Sequence, residues 1–273
     1  MADALGLARE VRLYRRLSGA RMRGQMQYKR SFALLVSGIF AINVLELATI
    51  FILFRHFETL GGWRVGEIAF LYGLSSISFS IAKIFSGGLD GFQVQISRGE
   101  FDRVLTRPVS PFVQVLCADV KLHQVGRLLQ GIMAFGIALT LTDVHWSTGR
   151  LLYLPVAIVS AAAVFLALFS FEATMCFWTT EATESVNAFT YGGTTLAQYP
   201  LQIFDGWLRR LFLWIVPLGF TIFLPALYLL DKPDPLGMPG FSRFVAPVVA
   251  ILFCAVAGFF WGVGVRRYRS TGS

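Results

Sequence analysis

Residues 32–54 read FALLVSGIFAINVLELATIFILF, an apolar run of 23 residues with one ionisable side chain, Glu46. A helix of that length is about 35 Å long, which is enough to cross a hydrocarbon core of about 30 Å. About thirty residues precede the run, and it is longer than the apolar region of a secretory signal peptide. We therefore interpret it as a first membrane span.

The composition of the whole chain extends this interpretation. Of the 273 residues 55% are hydrophobic and 15% are charged, and the mean hydropathy is +0.63. Average soluble domains carry about 25% charged residues, so a cytosolic enzyme, a secreted disulfide scaffold and a disordered chain are all excluded. The sequence predicts an all-α integral membrane protein of six spans, at about 32–54, 66–89, 122–141, 151–177, 185–204 and 245–265.

The region 185–230 leaves two interpretations open. It is longer than one crossing, and it contains Pro200, Pro217 and Pro225. In the interpretation that we favour, a moderately polar fifth span over 185–204 is followed by a re-entrant hairpin over 207–230. In the other, a cytoplasmic segment precedes a single span over 207–230. Non-helical backbone at membrane depth needs protein or water around it, and both interpretations place the two termini on one side.

Lysine and arginine residues predict the orientation. Fifteen of them lie in three segments, residues 1–31, 90–121 and 266–273, whereas five lie in the loops of the opposite side. The positive-inside rule therefore places both termini and the loop 90–121 in the cytoplasm, in a multi-pass protein of the cytoplasmic (inner) membrane. The net charge of +8 then reflects topology and contact with anionic lipid, and we expect no nucleic-acid partner.

Two segments outside the spans have helical features. Residues 1–31 are basic, with apolar residues at helical spacing, which predicts an amphipathic helix in the headgroup layer or else a disordered basic tail. In the loop 90–121, residues 100–106 predict a short helix that ends at Arg107-Pro108, because the residue before a proline disfavours helical backbone. Such a helix suits docking into a groove on another protein, and the alternative is a connector without a partner.

Several polar side chains fall inside the predicted spans, where ionisable groups are costly and usually face protein or water. Lys83 and Arg127 lie toward the cytoplasmic ends, where they can snorkel or pair with Glu172. Glu46 is deeper and has no basic neighbour in its own span, so we expect it to line a pathway or a subunit interface, or else to form an interhelical hydrogen bond. The candidate intramembrane polar residues are Asn43, Glu46, Lys83, Arg127, Glu172, Asn187 and Gln198.

Motifs of catalysis and nucleotide binding are missing from the sequence. It contains no GxxxxGK[ST] phosphate loop, no HExxH and no GxSxG, which are the patterns of nucleotide hydrolysis, zinc proteases and serine hydrolases. Cys117, Cys176 and Cys254 are far apart and form no CxxC pair, so we predict neither a disulfide framework nor a metal site. We expect no cofactor and no catalytic residue in this chain.

Two stretches carry a resemblance to a known family. Residues 99–111, GEFDRVLTRPVSP, resemble the G-x-hydrophobic-D-x-x-L-x-R-P-x-S-P loop of ABC-2 type permeases, and look closest to the branch of daunorubicin-exporter-like membrane subunits. The residues Tyr199-Pro200, Ile203-Phe204, Trp207-Leu208-Arg209, Val216-Pro217 and Leu224-Pro225 are similar to that branch's YP-x-x-I-F…L-R…P…P pattern. With the basic N-terminal segment and the six spans, the resemblance covers nearly the whole chain.

The resemblance implies the membrane subunit of an ATP-driven exporter. Two permease chains, identical or related, would pair with two ATP-binding subunits, which would hold ATP and Mg. A coupling helix between spans 2 and 3 would dock into a cleft of the ATP-binding subunit, with Phe101 and Leu105 as its apolar anchor. The N-terminal helix would be the connecting helix of the family. The implied coupling residues are Glu100, Phe101, Asp102, Arg103, Leu105, Arg107 and Pro108, and those of the re-entrant hairpin are Pro200, Trp207, Pro217 and Pro225.

Two other functions stay open at this point. An integral-membrane enzyme acting on a lipid-linked substrate would need a cluster of catalytic side chains, and the spacing of the acids in the loop 90–121 forms no catalytic pattern that we recognise. A membrane scaffold that transports nothing would show no dependence on nucleotide.

Overall fold

The computed structural model describes residues 14, 17–179 and 183–269, apart from the side chains of residues 183–189. The described chain is helical, and its one strand-like pairing is the isolated bridge between Leu60 and Trp63. In chain order the α-helices are α1 (17–25), α2 (Lys29–Leu53), α3 (Val65–Phe85), α4 (Gly87–Asp90), α5 (Phe92–Ser97), α6 (Phe101–Leu105), α7 (Pro111–Leu116), α8 (Val125–Leu141), α9 (Thr148–Met175), α10 (Thr183–Ala197), α11 (Gly206–Arg210), α12 (Leu224–Leu229) and α13 (Ala246–Arg267). The segments Leu211–Ile215 and Gly219–Phe223, between α11 and α12, are π-helical.

Five helices are long and apolar enough to cross a membrane. They are α2, α3, α8 with the preceding 3-10 turn (Leu122–Gln124), α9 and α13. A sixth candidate is a helix pair, Gly206–Ile215 and Gly219–Leu229, that is bent by 80° at the break between its halves. The chain is therefore an integral, multi-pass membrane protein.

Helix α3 forms the centre of the bundle, because 89% of its most apolar window is buried against other helices. Gly73 and Phe135 bring α3 and α8 into backbone contact, since a Cβ atom at Gly73 would lie 2.8 Å from the backbone nitrogen of Phe135. On the other side, Phe79 of α3 packs edge-on against Phe165 and Phe169 of α9, with ring centroids 5.3 and 5.6 Å apart.

Helix α2 lies at the edge of the bundle and is mostly uncovered. Only 17% of its most apolar window is buried, and its buried side chains form one narrow stripe of Asn43, Leu47 and Ile50. The remaining faces carry exposed apolar side chains such as Leu34, Leu45 and Ile52. In a membrane these faces must contact lipid or another protein chain.

The short helices α4–α7 and the N-terminal helix α1 meet at one end of the bundle, which we call the basic end. Here the Gln25 amide donates to Asp119 Oδ1 at 3.1 Å, and Trp261 of α13 packs 5.1 Å from the ring of Phe92. The loops 54–64, 142–147 and 230–245 form the opposite end, where Lys232 pairs with Glu67 at 2.7 Å.

The predicted second span, 66–89, is divided in the structure. Helix α3 ends at Phe85, and α4 begins at Gly87 after the non-helical residue Ser86. A Cβ atom at Gly88 would overlap the carbonyl oxygen of Val115 in α7. The close contact between α4 and α7 therefore requires a glycine at this position.

Helix α10 follows α3 across the bundle. The Ser75 hydroxyl donates to the Thr194 carbonyl at 3.5 Å, and the rings of Phe79 and Tyr191 lie 5.8 Å apart. The helix ends at Ala197, short of the predicted boundary at Phe204, because Pro200 supplies no N–H and disfavours helical backbone at the residue before it.

The bent helix pair leaves and returns at the same end of the bundle. Before the pair, the Gln202 amide donates to the Gly61 carbonyl at 3.0 Å. After it, the Lys232 ammonium donates to the Gly62 carbonyl at 3.3 Å. Gly61 and Gly62 are adjacent in the turn between α2 and α3, so residues 204–231 begin and finish at the opposite end.

The structure describes only part of the predicted N-terminal helix. Helix 17–25 lies against the basic end, where Tyr14 donates its hydroxyl to the Phe85 carbonyl at 3.2 Å. Residues 1–13, 15 and 16 of the predicted amphipathic helix, and residues 270–273 of the predicted basic tail, lie outside the described residues.

Candidate functional site

The loop 90–121, singled out by its Arg-Pro motif, folds into short helices at the basic end. Gly99 has a φ of +66°, a left-handed conformation that favours glycine, and it turns the chain from α5 into α6. The side-chain amide of Gln114 donates to the carbonyls of Val104 and Val109, at 3.0 Å each. These bonds fix the turn around Arg107-Pro108 against α7.

Phe101 is an interior residue in this structure, so its side chain is covered by other helices and is not presented on the surface as the predicted anchor would be. Its exposed fraction is 0%. Its ring packs against Phe92, Phe177 and Tyr268, with centroid distances of 5.2, 5.5 and 5.1 Å. Helix spacing alone could not reveal this, because the residues that cover Phe101 come from α5, from the end of α9 and from the end of α13.

We expect Phe101→Ala to reduce the stability of the protein itself. Removing a buried phenylalanine side chain costs about 3–5 kcal/mol, so the melting temperature of the purified chain in detergent should fall by several degrees. Leu105→Ala is the matched control, because Leu105 lies one turn away and is 40% exposed. Equal melting temperatures for the two variants would contradict the buried position of Phe101.

The exposed part of this loop forms a mixed surface, which we call the α6 surface. Leu105 is its apolar member, and Asp102 is half-buried with contacts of its own. The exposed residues of the α6 surface are Glu100, Arg103, Leu105, Thr106, Arg107 and Pro108. This set, without Phe101, is what helix α6 and the turn after it present to a partner.

A polar cavity of about 420 Å³ adjoins the α6 surface. Its lining includes Asp90, Glu100, Asp119 and Lys121. Cys117 lies nearby but is buried, and burial raises the pKa of its thiol. A thiol held protonated in this way is a poor nucleophile.

An ionic cluster ties α3 to this loop. The ammonium of Lys83, only 2% exposed, lies 2.7 Å from Asp90 Oδ1, and Lys121 pairs with the other oxygen of Asp90. Lys83 also lies 4.1 Å from the ring centroid of Phe169. Glu172 is buried close to Lys83 without an ion pair between them, and its Oε2 has no hydrogen-bond partner. Lys83 therefore pairs with Asp90 rather than reaching the headgroups, and no local sequence pattern marks Asp90 as its partner.

The deeper polar residues are partly brought together. Tyr72 donates its hydroxyl to the Asn43 carbonyl at 3.2 Å, and the same hydroxyl lies 3.4 Å from Glu46 Oε2. Glu46 is exposed on the uncovered face of α2, and Arg127 lies within electrostatic range of it. An interhelical hydrogen bond, one of the alternatives predicted for Glu46, is therefore present at a long distance, while the residue as a whole is exposed.

The remaining candidates lie along α10 and the bent pair. Gln198 is buried, and the side chain of Asn187 lies outside the described residues. Pro200, Pro217 and Pro225 are buried, whereas Trp207 is 68% exposed.

No group of three or more His, Cys, Asp or Glu side chains in the described part of the chain is arranged to hold a metal ion.

Comparison with known proteins identifies the family. A family model described as "ABC-2 family transporter protein" matches residues 40–272. The chain belongs to the ABC-2 transporter family. Neither a curated protein nor a solved structure matches it. As an ABC-2 family membrane domain, the chain is a transport subunit, a permease component of an ABC exporter, and not a catalytic enzyme.

Proposed function

We propose that this ABC-2 protein forms the substrate pathway of an ATP-driven exporter as a dimer with an identical or related permease, and that two separate ATP-binding subunits hold ATP and Mg and drive it. The α6 surface carries the proposal. It presents the Arg-Pro motif at one end of a chain that contains no phosphate loop of its own. We assign the chain to the daunorubicin-exporter-like branch on its loop and proline motifs.

The basic end is the cytoplasmic side in this proposal, and the membrane is the cytoplasmic (inner) one. The asymmetry of lysine and arginine supports the orientation. The helices α4–α7 then face the cytoplasm, where an ATP-binding subunit can reach them. Helix α6 acts as the coupling helix, and its connection to α3 through Asp90 and Lys83 transmits a movement of the loop to the centre of the bundle.

The bent pair is a re-entrant hairpin in this proposal, and α10 is the fifth crossing. Support comes from Gly61 and Gly62, which contact the chain just before and just after the hairpin. A single crossing over 207–230 would instead start at one end of the bundle and finish at the other. The hairpin then lies near the outer mouth of the pathway, and helix α1 is the interfacial connecting helix.

The uncovered face of α2 is where we place the second permease or the pathway. An exposed carboxylate at mid-membrane, such as Glu46, is energetically unfavourable against lipid. A second chain or a hydrated path between the chains removes that contact. The side chain of Glu46 should thus be inaccessible to lipid in the assembled transporter.

The test is co-purification of an ATPase from detergent, measured by mass spectrometry and ATP hydrolysis. We expect Leu105→Asp and Arg107→Ala to lower the yield of the ATPase about tenfold or more, the loss produced by removing a central contact of an interface. Membrane insertion and the melting temperature should stay unchanged, because both side chains are exposed.

Matched controls are Val94→Asp and Arg98→Ala, which change exposed residues of the same loop outside the α6 surface. Equal retention of the ATPase by all four variants would refute the α6 surface as the coupling element. A wild-type chain that purifies alone, with no dependence on nucleotide, would refute the exporter function. It would favour an integral-membrane enzyme acting on a lipid-linked substrate.

A further inference from the structure

A basic side chain without a carboxylate partner lies where α3, α8 and α10 meet. The guanidinium carbon of Arg127 lies 4.2 Å from the ring centroid of Phe79. Its Nε is buried and has no hydrogen-bond partner, and it forms no ion pair with any described carboxylate. Arg127 as a whole is half-buried, and a charge partly withdrawn from water in this way is costly unless something compensates it.

Two more unpaired polar groups lie beside it. Gln130, one turn further along α8, is 0% exposed, and neither atom of its amide has a partner. The Ser76 hydroxyl of α3 is also buried and has no hydrogen-bond partner of good distance and angle, although it lies close enough to the Tyr72 hydroxyl to interact with it. The two helices touch here, because a Cβ atom at Gly131 would lie 3.1 Å from the Cβ of Ser76. Each such group costs about 1–3 kcal/mol when left unpaired, so the cluster indicates a bound polar group.

The charges around Arg127 leave it with an unbalanced positive charge. The other nearby cation, Lys83, is already neutralised by Asp90 at 2.7 Å. The nearest acid on α2, Glu46, acts on Arg127 only at a distance and contacts the Tyr72 hydroxyl instead. No described side chain thus supplies Arg127 with a direct negative charge.

The depth of Arg127 suits a headgroup. It lies five residues beyond Leu122, the start of this span, which is about 8 Å along the helix axis. Arginine side chains near span ends reach the phosphate layer from such depths. Tyr191, whose ring packs on Phe79, is 43% exposed, so part of the junction lies at the surface of the bundle.

We propose that Arg127, with Gln130 and Ser76 behind it, binds the phosphate of an anionic amphiphile from the adjacent leaflet. The guanidinium pairs with the phosphate oxygens, and the Gln130 amide and Ser76 hydroxyl donate to the same group or to its bound water. A planar guanidinium suits this task because its fork matches two oxygens of a phosphate. The site does not depend on an ATP-binding partner.

The experiment measures thermal unfolding of the full chain in neutral detergent, by tryptophan fluorescence, with added phosphatidylglycerol, phosphatidylcholine or inorganic phosphate. We expect phosphatidylglycerol to raise the melting temperature of the wild type more than phosphatidylcholine does. Arg127→Gln should weaken the apparent affinity for phosphatidylglycerol about tenfold or more, the size of one charge-assisted hydrogen bond. Arg98→Gln, which removes an exposed arginine at the same end, should retain the response.

Two further variants keep the proposal falsifiable if Arg127→Gln does not fold. Arg127→Lys keeps the charge and loses the fork, so its response should be intermediate. Gln130→Leu distinguishes an occupied site from an empty one. If the site binds phosphate, Gln130→Leu weakens the response to phosphatidylglycerol. If the site is empty, the substitution removes two unpaired atoms, so it raises the melting temperature and leaves the response to phosphatidylglycerol unchanged. That second result would overturn the proposal.

The same shifts in melting temperature identify the source of the phosphate. A shift given by phosphatidylglycerol alone identifies a lipid headgroup, and a shift given equally by inorganic phosphate identifies a free anion, provided that Arg127→Gln removes it. Equal responses of wild type and Arg127→Gln, or no response to either phosphate source, would contradict the assignment of the site.

Discussion

Replacing Asp90 by alanine is expected to lower the free energy of unfolding by about 3–5 kcal/mol, the cost of removing one partner from a buried ion pair. Asp90 lies between Lys83 and Lys121. Without it the ammonium of Lys83, which is 2% exposed, keeps its charge in the interior with no carboxylate bonded to it. The melting temperature in detergent should fall, and the helices α4 and α5 should become more accessible to protease.

A second substitution separates the ion pair from other effects of the change. In the double variant Lys83→Met/Asp90→Ala the uncompensated charge is gone, and an apolar chain of similar length fills the space beside Phe169. Much of the lost stability should return, because apolar replacement of a whole buried pair is often neutral or stabilising. Glu58→Gln, an exposed acid at the opposite end, should have no effect. A double variant as unstable as Asp90→Ala would argue against this account.

Replacing Gly126 by alanine is expected to disrupt the contact between α2 and α8. An added Cβ atom would overlap the carbonyl oxygen of Val36 and lie 3.0 Å from the backbone nitrogen of Phe40. Both neighbours are backbone atoms of a regular helix, which cannot rotate away as a side chain does. The helices must therefore separate, and we expect a loss of about 1–3 kcal/mol, as for other overpacked sites.

Gly136 provides the matched control on the same helix. A Cβ atom there would have nothing within 4 Å, so Gly136→Ala should be neutral or slightly stabilising, since alanine favours helix more than glycine. The measurement is the melting temperature of both variants in one detergent. If the two variants melt together, the close approach of α2 to α8 at Gly126 is not as the structure has it.

Much of the architecture follows from apolar run length. Residues 32–54 and 245–265 predicted spans close to α2 (Lys29–Leu53) and α13 (Ala246–Arg267), because about 20 apolar residues with almost no charge are stable as a helix in lipid. The family, too, could be inferred from the sequence, because the Arg-Pro loop is a local motif. The bent pair was harder to predict, because the length of an apolar run does not determine whether a segment interrupted by prolines crosses the membrane or turns back.

The individual residues of the site depended on contacts between distant segments. The sequence places Phe101 and Leu105 on the same short helix, four residues apart, and both are apolar. Only the packing of α5, α9 and α13 buries the first and leaves the second exposed. Likewise, the sequence left Lys83 either to reach the headgroups or to pair with Glu172, and only the turn at Gly87 and Gly88 places Asp90 against it.

The sequence alone determined that this is a membrane protein of the ABC-2 type, because hydrophobic length and a local motif are properties of neighbouring residues. The tertiary structure decided which polar groups are paired, which are left over at Arg127 and Gln130, and which side of α6 remains exposed. Those outcomes depend on where helices distant in sequence touch, and burial and the pairing of charges are settled only by that contact.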